Sequence, residues 1–146
     1  MSQAQSANKL YERALNSLSK AQKINSKNSE IYFAKSDIYL KIRQLQEAKS
    51  AIEYGLKMDP NNHLAIFQLG NIFLMEKNFL AAIKLFDKSV KIKPDFWQAI
   101  NNKGLAYFEK NDINLSIKLF EKAISIQDNA CPVSYTHLRA HETATY

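Results

Sequence analysis

One cysteine, three prolines and three glycines are all that this chain of 146 residues holds of those types. The lone Cys131 excludes an internal disulfide. So little Gly and Pro argues against a β-rich or disordered chain and for helices joined by short turns. No apolar run approaches the roughly 20 residues that cross a bilayer. Residues 1–8 are polar and lack the apolar stretch of a secretory signal. Taking Met1 as the start, the expected location is the cytoplasm. Sites for chemistry are also missing. The sequence has no Gly-rich phosphate loop, H-E-x-x-H, paired-Cys site or nucleophile elbow. His63 stands alone where a helix should start, so a turn role is expected. No catalytic residue, metal ligand or cofactor is expected.

What is present is apolar and basic. Hydrophobic residues make up 46%, enough for a packed core, and the formal net charge is +6. The length fits one domain. Lysines supply most of the charge and are scattered rather than blocked. Lys, Asn and Ile share AT-rich codons, so coding bias accounts for the basicity without nucleic acid, whose footprint is clustering on one face.

The stretch 60–94 organises the chain. Pro60 and Pro94 stand thirty-four residues apart with two helix-periodic segments between them. The first carries Ile66, Leu69, Gly70 and Phe73; the second carries Ala82, Phe86 and Ser89. One period later come Ile100, Gly104 and Tyr107, then Ser116, Phe120 and Ala123. One period earlier come Tyr32, Ser36 and Tyr39, then Ala48, Ile52 and Gly55. Helix pairs are predicted at 29–42 with 44–58, 63–76 with 78–92, and 97–110 with 113–126. Another helix is predicted at 9–24, where Ala14, Leu18 and Ala21 fall in the phase of Ala82, Phe86 and Ser89. Short turns join the members of each pair, which enforces antiparallel packing. Asn28 or Ser29 can cap the helix that follows. Gly70 and Gly104 sit mid-helix, where Gly costs about 1 kcal/mol against Ala. Each is expected to face the small residue of the second helix, Ala82 or Ser116, with Phe73 and Phe86 filling either side.

This pattern resembles the tetratricopeptide repeat, a helix–turn–helix unit of the same period. There are departures. Tyr32, Ile66 and Ile100 stand where the family has tryptophan, Lys35 and Lys103 replace a leucine, and Asp128 replaces the closing proline. The resemblance implies an all-α, right-handed α-solenoid of about three and a half repeats. The array is expected over 1–128, with a partial repeat at 9–26 and full repeats at 29–60, 63–94 and 97–128.

The resemblance also implies that the first helix of each pair lines a concave surface. On that side the rows are Phe33, Phe67 and Asn101; Ala34, Gln68 and Asn102; Asp37, Asn71 and Leu105; and Leu40, Leu74 and Phe108. A helix back open to solvent should be more polar than this. Amides both donate and accept, which suits an extended peptide backbone. The expected peptide groove comprises Phe33, Asp37, Phe67, Gln68, Asn71, Leu74, Asn102 and Phe108. A competing reading puts the aromatics in the core between repeats. A clamp for a terminal carboxylate is disfavoured. Phe67, Leu64 and Gln98 stand at places where clamp-type repeats put basic residues or their equivalents.

The expected function is therefore a non-enzymatic protein-interaction module with a protein or peptide partner, no cofactor, no membrane and no nucleic acid. The alternative is a repeat region of a larger enzyme, such as a glycosyltransferase or methyltransferase. The tail stands apart. Residues 132–143 read Pro-Val-Ser-Tyr-Thr-His-Leu-Arg-Ala-His-Glu-Thr, which is similar to a translated transposase-based sequencing adapter. Residues 129–146 are read as a non-native tail. It includes His137 and His141, whose spacing would otherwise suit a metal pair.

Overall fold

The structure is a computed structural model and describes residues 2–130. Seven helices follow in order: α1 (Gln3–Ile24), α2 (Ser29–Lys41), α3 (Leu45–Met58), α4 (His63–Met75), α5 (Phe79–Ile92), α6 (Trp97–Glu109) and α7 (Ile113–Ala130). No strand occurs among the described residues. Successive helices pack as antiparallel neighbours, α2 with α3, α4 with α5 and α6 with α7, and the pairs stack into an α-solenoid.

The turns inside the pairs repeat with the sequence period. Arg43, Lys77 and Asn111 all adopt positive φ, at 60°, 60° and 66°. Each lies just beyond a helix C-terminus. The next N–H reaches back to the helix: Gln44 N to Tyr39 O (2.8 Å), Asn78 N to Phe73 O (2.8 Å) and Asp112 N to Tyr107 O (2.9 Å). The left-handed residues themselves donate to Leu40, Leu74 and Phe108. This double bond satisfies carbonyls that a helix end leaves open. No glycine marks these sites in the sequence, so periodicity alone located the turns. The residues in the turns account for helix ends that fall within one residue of expectation.

Side-chain caps close the other ends. Asn28, rather than Ser29, accepts from Glu30 N, Asn62 accepts from Ala65 N and Asn78 accepts from Ala81 N. Two helices run longer than predicted. Ser2 and Gln5 form a capping box that starts α1 at Gln3. α7 runs through Asp128 to Ala130, because Asp lacks the clash by which proline ends a helix.

The core lies between and within the pairs. One cluster joins Ala48, Ile52, Ala65, Leu69 and Ile72. Another joins Ala82, Phe86, Phe96 and Ala99, and Phe73 packs against both. The mid-helix glycines differ from expectation. A Cβ on Gly70 would meet the Phe86 ring at 2.6 Å, and one on Gly104 would meet Phe120 at 2.9 Å. The missing side chain thus admits an aromatic ring rather than a second small residue. Gly55 makes the same concession on a second helix, to the ring of Phe33.

Candidate functional site: the row of first helices

α2, α4 and α6 place the predicted groove residues on three successive helices, linked by two side-chain bridges. Gln68 Nε2 donates to Asp37 Oδ1 at 2.6 Å, joining α4 to α2. Asn102 Nδ2 donates to Asn71 Oδ1 at 2.7 Å, joining α6 to α4. Asn101 Nδ2 in turn donates to Asn102 Oδ1 at 3.3 Å. The sequence suggested amides free to meet a ligand; three of them are engaged with neighbours instead. Capacity remains, because a primary amide has two N–H donors and an acceptor with two lone pairs. Asp37 is exposed, and Gln68, Asn71 and Asn102 are half-buried.

The apolar members divide. Phe67 turns into the core, its ring centroid 5.9 Å from Phe86 and 4.9 Å edge-on from Phe96. Leu74 packs against the same cluster. For these two, the inter-repeat reading describes the placement better than an open pocket does. The physical reason is that one face of a first helix meets both the next repeat and the concave side. Phe33 packs against the first core cluster. It also borders a depression of about 170 Å³ together with Asp37, Asn62, Leu64, Ala65 and Gln68. Phe108 is 49% exposed and Leu64 54%, so apolar surface remains open on α6 and on α4. Leu64 is not among the expected groove residues, yet it borders this depression.

His63 is a packing residue. Its ring stands edge-on to Phe96 at 5.2 Å, and its carbonyl accepts from Ser89 Oγ at 2.8 Å. Among the described residues, no three His, Cys, Asp or Glu side chains gather as metal ligands would. No helix among them is long and apolar enough to cross a membrane.

Comparison with known proteins places this geometry. The crystal structure of MamA superposes with a TM-score of 0.78 at 26% identity, covering 83% of this chain and 71% of that one. MamA 41-end from Desulfovibrio magneticus RS-1 superposes at 0.74 and 21% identity, covering 82% and 67%. The first TPR of Spaghetti (RPAP3), bound to HSP90 peptide SRMEEVD, superposes at 0.67 and 20% identity, covering 83% and 95%. At 21% and 20%, the latter two bear on the fold alone. No curated protein sequence matches. Two family models, both described as tetratricopeptide repeat, match residues 33–96 and 98–129. The chain belongs to the tetratricopeptide repeat family.

Proposed function

We propose that this chain is a protein-interaction module that binds an extended peptide or partner segment along α2, α4 and α6. The family supports the coarser part, interaction with another protein. The RPAP3 repeat bound to a peptide supports a peptide as the occupant. The observation that carries the finer part is the pair of polar bridges, Asp37 to Gln68 and Asn71 to Asn102, running from helix to helix on one face. A bridge holds each amide in place, so little side-chain entropy is lost when its spare donor meets a peptide carbonyl. The open apolar surface at Leu64 on α4 and Phe108 on α6 would seat side chains beside the bridges.

The peptide should differ in charge from the acidic one held by RPAP3. Leu64, Phe67 and Gln98 supply no cation, and carboxylates are held strongly by charge-assisted bonds. A peptide-library pull-down on wild type and on Asn71→Ala/Asn102→Ala tests the reading, with helicity monitored in parallel. Loss of the selected peptides from a folded double variant supports it. Equal binding to both proteins removes the amide row as the recognition surface.

A further inference from the structure

A hollow lies away from the groove, between α1 and α3 over the other stripe of α2. Its volume is about 590 Å³. Tyr32, Lys35 and Tyr39 form its α2 side, at helical spacing and turned away from Phe33 and Asp37. The repeat register explains why it is empty. Ala51 stands where Leu85 and Leu119 stand in the later repeats. Gln22 stands where they have Leu56 and Val90, and Lys35 stands where the middle repeat has Leu69. In that repeat Leu56, Leu69 and Leu85 fill the space as part of the core.

The same register shows what Lys35 lacks. Its counterpart Lys103 pairs with Asp87 at 2.5 Å. Ser19 stands in the place of Asp87 relative to Lys35. Among the described residues Lys35 has no carboxylate partner; its ammonium donates to Gln22 Oε1 at 2.5 Å. The wall around it is fixed. Gln22 Nε2 donates to the Tyr32 hydroxyl, which donates to the Ser26 carbonyl. Tyr32 and Tyr54 stack with centroids 5.8 Å apart and planes 11° apart.

We infer that this hollow is a binding site for a small monocarboxylate with an apolar body, such as an aryl-alkyl acid. The carboxylate takes the role that Asp87 plays for Lys103. The apolar body fills the volume left by Ala51 and packs on the tyrosine pair. Glu47 also lines the hollow and opposes a second negative charge. The site therefore selects monoanions over dianions. It is independent of the groove and does not rest on peptide binding there.

The test is titration of the full chain with 3-phenylpropionate, followed by two-dimensional NMR with Tyr32 and Tyr54 assigned. 3-Phenylpropanol and phenyl phosphate serve as the uncharged and dianionic controls. The acid should bind about tenfold more tightly than the alcohol, the worth of one hydrogen bond to a charged partner. Phenyl phosphate should bind more weakly than the acid. Ala51→Leu and Lys35→Leu each restore the residue of the middle repeat, so both should fold. Ala51→Leu should abolish binding of acid and alcohol alike, whereas Lys35→Leu should erase the preference for the acid. Unchanged affinity in Ala51→Leu, equal binding of acid and alcohol to wild type, or shifts that bypass Tyr32 and Tyr54 would each overturn the assignment.

Discussion

Gly70 and Phe86 are a matched pair: the ring occupies the space where a Gly70 side chain would begin, 2.6 Å from its Cβ position. Phe86 is fully buried there. The third repeat repeats the match with Gly104 and Phe120. The first repeat solves the same contact differently, with Ser36 against the register position of Ile52. Both of these are also fully buried. Larger on one helix thus goes with smaller on the other.

This pairing predicts non-additive mutations. Phe86→Ala should cost about 3–5 kcal/mol, the range for emptying a core Phe site. Gly70→Ser should cost about 1–3 kcal/mol, because the packing strain outweighs the helix propensity gained. Gly70→Ser with Phe86→Ile copies the first repeat, and should be more stable than the sum of the single changes by about 0.5–3 kcal/mol. Denaturant midpoints on wild type, Gly70→Ser, Phe86→Ile and the double variant check it. Strict additivity would mean that the two positions do not share one packing site.

A second prediction concerns the left-handed turns. Lys77 holds φ at 60°, a conformation that side chains with a Cβ resist and glycine tolerates. Lys77→Gly should stabilise the array by up to about 1 kcal/mol, once glycine's greater unfolded-state entropy is subtracted. Arg43→Gly should behave alike. Asn111→Gly should gain less, since Asn already tolerates this region. Equal gains at all three positions, measured by thermal melts, would contradict the conformational account.

The helix count and the stacking were legible in the sequence because the apolar columns recur at one interval. Gly70 was legible as a site of close approach, since an unexplained mid-helix glycine needs a packing reason. Its partner was not legible, because Ala82, Phe73 and Phe86 all lie on plausible faces of neighbouring helices and only geometry selects among them. The turn residues escaped for the opposite reason: Arg43 and Lys77 carry no local signal of positive φ. Phe67 was assigned to the groove because its row is shared by the inter-repeat contact. The hollow at Ala51 was readable in principle. A column that runs Ala, Leu, Leu states that volume is missing in the first repeat.

The tail supplies a third prediction. Residues 132–146 lie outside the described part of the structure, and the adapter reading of them rests on sequence alone. If they are foreign to the repeats, deleting them should leave melting temperature and helicity unchanged. Helicity matters as well as temperature, because α7 reaches Ala130, close to the segment removed. A clear loss of either would show that the segment contributes to folding.

The last prediction separates peptide recognition from nucleic-acid binding. The chain carries a net charge of +6, yet the groove reading makes no use of it. The bridges on that face pair one carboxylate and three amides, and no row of cations joins them. Screening acts on charges and leaves neutral hydrogen bonds and apolar contacts largely untouched. Peptide affinity should therefore fall by less than about threefold between 50 and 200 mM salt, whereas a protein with 6–10 phosphate contacts loses about 10³–10⁵ over that span. Asp37→Asn offers an internal control. It keeps an acceptor for Gln68 while removing the one charge from the bridge, so binding should become still less sensitive to salt. The measurement is fluorescence anisotropy of a selected peptide and of a single-stranded oligonucleotide on the same protein. A steep salt slope with preference for the oligonucleotide would assign the scattered lysines a role in binding and remove the groove reading. A shallow slope with preference for the peptide supports the neutral amide row as the element that recognises the partner.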